Sequence, residues 1–189
     1  MSGPISHEEV RGALGFSIPY VIQAGDVGFS HNNGVMGRII RFGEHLKGVY
    51  GSEWNHEFVV SKFENNEWWI IQATMKGVIE TPLKDVAPGK GGHYVTMAPP
   101  PECNRVKILE FAYGELGAKY SILSDVAIGI DMLTWNWVPS LMNSYTRTWN
   151  CSGLTNECLR YAGWRHEWVN IYTVTPQQGF DALTESHAS

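Results

Sequence analysis

Cys151, His56 and Gln72 are the residues whose types and places in the chain could do covalent chemistry together. Cys151 follows Asn150, a favoured helix N-cap, in the stretch NCSGLTNECLRYAGW. A thiol there meets the positive end of a helix dipole, which lowers its pKa and raises the thiolate fraction. The backbone N–H groups of that first turn can also receive the oxyanion formed when a thiolate attacks a carbonyl. Ser152 and Gly153 leave the approach uncrowded, and Ser152 is a candidate substrate contact. The plainer alternative is a buried structural cysteine, since cysteine is among the most buried residue types. Cys158 lies in the apolar stripe of the same helix and reads as core. Cys103, after three prolines, is an unassigned thiol.

A cysteine nucleophile needs a base, most often histidine. Of the seven histidines, His56 stands out because it opens an apolar strand in WNHEFVV. Strand alternation predicts one shared face for Trp54, His56 and Phe58, with Glu57 turned away and so unfit to orient the ring. Trp54 is a candidate wall of a substrate groove, though burial in the core is the usual fate of such a residue. The other histidines (His7, His31, His45, His93, His166 and His187) read as surface or hydrogen-bonded core. Gln72 interrupts the apolar strand WWIIQA, and a buried amide must find hydrogen bonds. Its oxygen can accept from the His56 ring; alternatively it only ties down backbone. For the two to share a face, even residues must lie opposite even residues. That requires a hairpin loop of three or five residues, or a bulge. Close metal-ligand pairs such as C-x-x-C or H-E-x-x-H do not occur, so neither a metal nor another cofactor is expected.

The elements that must position these groups follow from periodicity. A capping box, Ser6 with Glu9, predicts a short helix toward Leu14, and helical spacing predicts another over 34–46. Ser17 to Gln23 reads as extended, leading into a Gly25-Asp26 turn and a short strand over 27–29. A hairpin pairs 56–63 with 68–74, and further strands are expected over 77–80 and 93–97. Pro99 to Pro101 separate this sheet region from a helical one. There, helices are expected over 104–116, with Val106, Leu109, Phe111 and Tyr113 as the apolar set, over 120–137, and from Cys151 to a stop at Gly163. The order gives an α+β fold in one domain, with a lead-in over 1–23, a sheet region over 24–98 and a helical region over 99–189.

The stretches AGDVGF, WNHEFVV, IIQATMKGV, GAKY and NCSGLTNECLRYAGW, closed by VTPQ, together resemble the circularly permuted branch of the NlpC-type papain-like hydrolases. That branch is itself similar to lecithin:retinol acyltransferase-like proteins. The resemblance covers about residues 24–178. It implies a papain-like antiparallel sheet packed against helices, with Cys151 as nucleophile, His56 as base and Gln72 as third member. Many relatives carry Glu at the third position, so Gln72 is a departure. The implied activity is hydrolysis of an amide through a thioester, with peptidoglycan peptides as leading substrate. A lipid or thioester acyl hydrolase or acyltransferase, and an inactive binding module, are the alternatives.

Composition narrows the partners. Fourteen Lys and Arg against nineteen Asp and Glu give a net charge of -5, a poor match for nucleic acid or an anionic membrane surface. Three cysteines are too few, and odd in number, for a disulfide framework. The N-terminus lacks the basic and apolar regions of a signal peptide, and nothing is long and apolar enough to insert stably in a membrane. The expected setting is cytoplasmic, or that of a phage protein delivered by the virion or a lysis system.

Overall fold

The computed structural model describes residues 20–32, 52–87, 91–120, 148–166 and 174–188. The helices expected over 6–14 and 34–46 lie outside them, as does the segment from 121 to 137. Five strands form an antiparallel sheet: β1 (Val27–His31), β2 (His56–Glu64), β3 (Glu67–Thr74), β4 (Gly77–Pro82) and β5 (His93–Met97). Their order is β4-β3-β2-β1-β5, so β5 crosses back to pair with β1 and β2 is central. A 3-10 turn, Leu83–Asp85, follows β4. Three helices complete the described α+β architecture: α1 (Arg105–Gly114), α2 (Cys151–Ala162) and α3 (Pro176–Ala188). A two-residue parallel pair, β6 (Lys119–Tyr120) with β7 (Thr148–Trp149), leads into α2.

Alternation along the strands builds two cores. Val27, Phe29, Val59, Ile71 and Val78 face the helices and pack with Ile108, Leu154, Cys158, Leu159 and Leu183. Phe58, Val60 and Ile70 face the other way and pack under Leu83 and Val86. Side chains such as Phe29, Phe58 and Ile70 are fully buried, and each contributes about 1.5–3 kcal/mol by leaving water. Gly28 is required beneath the second core, because a Cβ there would lie 2.0 Å from the Phe58 ring.

The β2–β3 hairpin turns on Asn65 and Asn66, both with positive φ (53 and 61). A two-residue turn of this kind matches the natural strand twist, and Asn tolerates it. Its register starts with Phe63 opposite Trp68 and Lys62 opposite Trp69, odd against even. A bulge between Val60 and Lys62 then shifts the pairing to Val60 opposite Ile70 and Val59 opposite Ile71. The bulge, not a loop of odd length, supplies the even-to-even register.

Helix α1 differs from its expected apolar set. Ile108 and Ala112, four residues apart, are its buried positions, while Val106 and Tyr113 are exposed. The helix leans on α2 through one narrow stripe, so only that spacing is covered. Asn104 caps it, accepting from the Val106 and Lys107 N–H groups. At its first turn, Arg105 donates to the fully buried Asp26 at 2.5 Å and to the Ala24 carbonyl at 3.2 Å. The Tyr20 hydroxyl (2.5 Å) and the Gln23 N–H (2.7 Å) also donate to Asp26. The Gly25-Asp26 pair is therefore more than a turn: it ties the start of β1 to α1. Removing the guanidinium leaves a buried carboxylate uncompensated. Arg105→Ala is expected to cost about 3 kcal/mol, read as a lower urea midpoint with unchanged slope.

Candidate active site

The bulge decides which polar side chains meet on β2 and β3. Carried on from Val59 opposite Ile71, the register sets Gln72 across from Phe58 and diagonal to His56. The His56 Nε2 lies 2.6 Å from Gln72 Oε1. Gln72 Nε2 in turn donates to Thr81 Oγ1 of β4 at 2.8 Å. Gln72 turns its amide oxygen to the ring and its nitrogen to Thr81, and in this arrangement the contact puts the His56 proton on Nε2. The lone pair of the neutral imidazole then sits on Nδ1. Burial lowers the His56 pKa below its ordinary value, and the Gln72 acceptor opposes this only in part. His56 is therefore neutral at pH 7, the form a general base needs.

Cys151 opens α2, as the sequence predicts. The Asn150 side chain accepts from the Gly153 N–H at 2.7 Å. Helical geometry ends at Gly163, whose φ is 120. Cys151 is 7% exposed, and its Sγ lies 3.9 Å from Ser152 Oγ. The Ser152 side chain is itself buried, so the structure does not present its hydroxyl as an open substrate contact. Cys158 is fully buried in the helix-side core, and burial pushes its thiol pKa up. Cys103 is pushed up to about 11, by burial and then by the charge of Glu102.

Strand alternation sets His56 on the face of Phe58 and Val60, whereas Leu154 and Cys158 of α2 pack against Val59 and Ile71 on the other face. The structure thus brings His56, Gln72 and Thr81 together, while α2, which Cys151 opens, packs its buried stripe on the other face of the sheet. Both candidates reach the same end of the sheet. His56 begins β2, and β7, which leads into Cys151, lies with β6 beside the Gly77 end of β4, where the Val78 N–H donates to the Ala118 carbonyl at 2.9 Å. Trp54 departs from the face expected for it. It sits in the helix-side core against Phe29 and Phe180, with ring centroids 6.5 and 5.4 Å away. It precedes β2, so strand alternation does not govern it. Glu57 turns away from the His56 face, as alternation predicts, and lies against α3: a Cβ on Gly179 would lie 2.7 Å from its Oε1.

Two contributors escape a motif scan. Thr81 anchors Gln72 from a strand whose role the sequence left blank. Gln177 Oε1 accepts from the Glu53 and Trp54 N–H groups at 2.9 and 3.3 Å, pinning the segment that enters β2. Gln177 heads α3, a helix with a legible start signal. Thr175 and Gln178 form a reciprocal capping box (2.9 and 3.3 Å), with Pro176 at the first helical position.

Compared with known proteins, the chain matches no family model and no curated relative.

His56 titration links to stability. The unfolded chain takes up the proton near pH 6.5, as a free imidazole does, and the folded chain only at lower pH. The His56 contribution is therefore complete above about pH 6.5 and is lost as the pH falls below it. Urea midpoints from pH 8 to pH 5 are expected to fall in the wild type and to fall less in His56→Gln.

Proposed function

We propose that the chain is a cysteine hydrolase of the permuted NlpC-type papain-like group, cleaving amide bonds, with cell-wall peptides as its leading substrate. The observation that carries this reading is the His56–Gln72–Thr81 relay, a neutral imidazole held with its proton on one nitrogen and its lone pair on the other. An amide can orient the ring without adding charge, which supports His56 as the base of a cysteine nucleophile. The second support is a cysteine on the first turn of a capped helix.

In the proposed reaction, His56 Nδ1 takes the Cys151 proton and the thiolate attacks the carbonyl carbon. The tetrahedral oxyanion is received at the start of α2. There the Gly153 N–H is committed to Asn150, so the Ser152 N–H is the donor assigned to it. His56 then gives its proton to the leaving amine, and a thioester remains on Cys151. Water, deprotonated by His56, attacks the thioester, and the acid leaves as the thiol is restored. This chemistry needs Sγ and Nδ1 to meet at the end of the sheet that both reach, around the first residue of β2.

A second reading is a binding module built on the same fold. The 7% exposure of Cys151 favours it.

Alkylation by iodoacetamide near neutral pH separates the two. The enzyme reading expects Cys151 to be modified first, because Cys103 and Cys158 are held protonated. It also expects His56→Ala to slow that modification about tenfold or more. In a peptidoglycan digest read by mass spectrometry beside an acyl-ester control, Cys151→Ala should abolish product. His56→Ala should lower the rate at least about 100-fold. Equal, slow labelling of all three thiols with no product would leave the binding module.

A further inference from the structure

A second polar cluster lies at one edge of the sheet and takes no part in the proposed hydrolysis. His31, the last residue of β1, is the direct pairing partner of His93, the first residue of β5. Their rings stack with centroids 4.9 Å apart and planes 12° from parallel. Glu53, in the segment entering β2, projects its carboxylate between them. Its Oε1 lies 2.5 Å from His93 Nε2 and 3.7 Å from His31 Nδ1, which donates to the Glu53 backbone carbonyl at 2.7 Å and so leaves His31 Nε2 as the nitrogen for a ligand. One ligand atom from each of the three residues falls within 4.8 Å of the others.

We propose that His31, Glu53 and His93 bind a divalent first-row transition metal, zinc above all. Three features of the cluster argue for a cation there. The first is donor chemistry: two imidazoles and one carboxylate are a zinc donor set that keeps a further position open for water or substrate.

The second is the state of His93. Its Nδ1 donates to the Gly91 carbonyl at 3.3 Å. That is the outer hydrogen bond that metal-bound imidazoles habitually make, and in the neutral ring it leaves the lone pair on Nε2. This Nε2 is buried and makes no hydrogen bond, although Glu53 Oε1 is close by. The carboxylate is near in distance but off the direction a ring N–H would need. A lone pair and a carboxylate oxygen that converge without a hydrogen bond are two acceptors facing a shared point. A cation placed between them satisfies both, once they separate to coordination distances of about 2.0–2.2 Å from the metal.

The third is support and access. The Glu53 and Trp54 N–H groups are held by Gln177, so the carboxylate projects from a fixed backbone. The two imidazole side chains are 16% and 15% exposed and Glu53 is 47% exposed, which leaves an entry path on the carboxylate side. No local motif marks the cluster, because its members are not a few residues apart. Here 22 residues separate His31 from Glu53, and sheet pairing rather than helix spacing brings the histidines together.

The test uses the full chain, stripped with EDTA and then loaded with Zn(II) or Co(II). Wild type is expected to retain about one zinc per chain by elemental analysis after gel filtration. Co(II) should give visible absorption of a four- or five-coordinate site. His93→Ala and His31→Ala should each weaken zinc at least about 100-fold, and Glu53→Gln about tenfold or more. Circular dichroism checks that each variant is folded. His187→Ala and Cys151→Ala are expected to bind as wild type does, which keeps this test separate from that of the nucleophile. Retention no greater in wild type than in a folded His31→Ala/His93→Ala double variant would overturn the proposal and leave a proton-bridged ion pair. Loss of zinc in Cys151→Ala would overturn it as well, by moving the metal to the thiol.

Discussion

One extra residue in β2 determines which side chains can act together. Without the bulge at Ser61, the tight Asn65-Asn66 turn would keep even residues of β2 opposite odd residues of β3. His56 and Gln72 would then point to opposite faces, because side chains alternate with a period of two. With the bulge, the same turn serves a register in which the imidazole meets the amide at 2.6 Å. Ser61 is held by its hydroxyl, which donates to Glu80 Oε1 of β4 at 2.8 Å. The residue that shifts the register is thus itself pinned to the sheet.

The rest of the fold keeps that sheet in place. The buried Asp26–Arg105 pair fastens β1 to α1. The Trp149 indole donates to Glu115 at 2.9 Å, joining the entry of α2 to the end of α1. The Asn150 cap sets where α2 begins and hence where Cys151 stands. Each of these is a polar contact at the end of an element, with apolar packing between the ends. The division of labour is physical: burial supplies the bulk of the free energy without direction, and the directional contacts choose how the elements meet.

Strong periodic patterns made much of this legible from sequence. The strand from His93 to Met97, the hairpin, the Asn150 cap and the stop at Gly163 follow from alternation, turn chemistry and capping. The pairing of His56 with Gln72 was legible too, as a condition on register rather than as a certainty. The rest depends on long-range packing. Nothing local indicates that β5 returns to β1, or that Ile108 and Ala112 rather than Val106 and Tyr113 are the covered side of α1. Trp54 lies before the first residue of β2, where strand alternation no longer sets the face of a side chain. The His31–Glu53–His93 cluster was invisible because its members meet only through sheet pairing. The α3 start at Thr175-Pro176 carried a readable capping signal that a motif-led reading passed over.

The account rests on a neutral His56 with its proton on Nε2, tied to Gln72, and its lone pair on Nδ1. Nitrogen-15 NMR of the imidazole at pH 7.5 tests this most directly. The wild type should show the Nε2–H tautomer, with titration displaced below the ordinary pH of about 6.5. Gln72→Leu should release the ring into a mixture of tautomers. A His56 that carries its proton on Nδ1, or that titrates like a free imidazole in both proteins, would contradict the account.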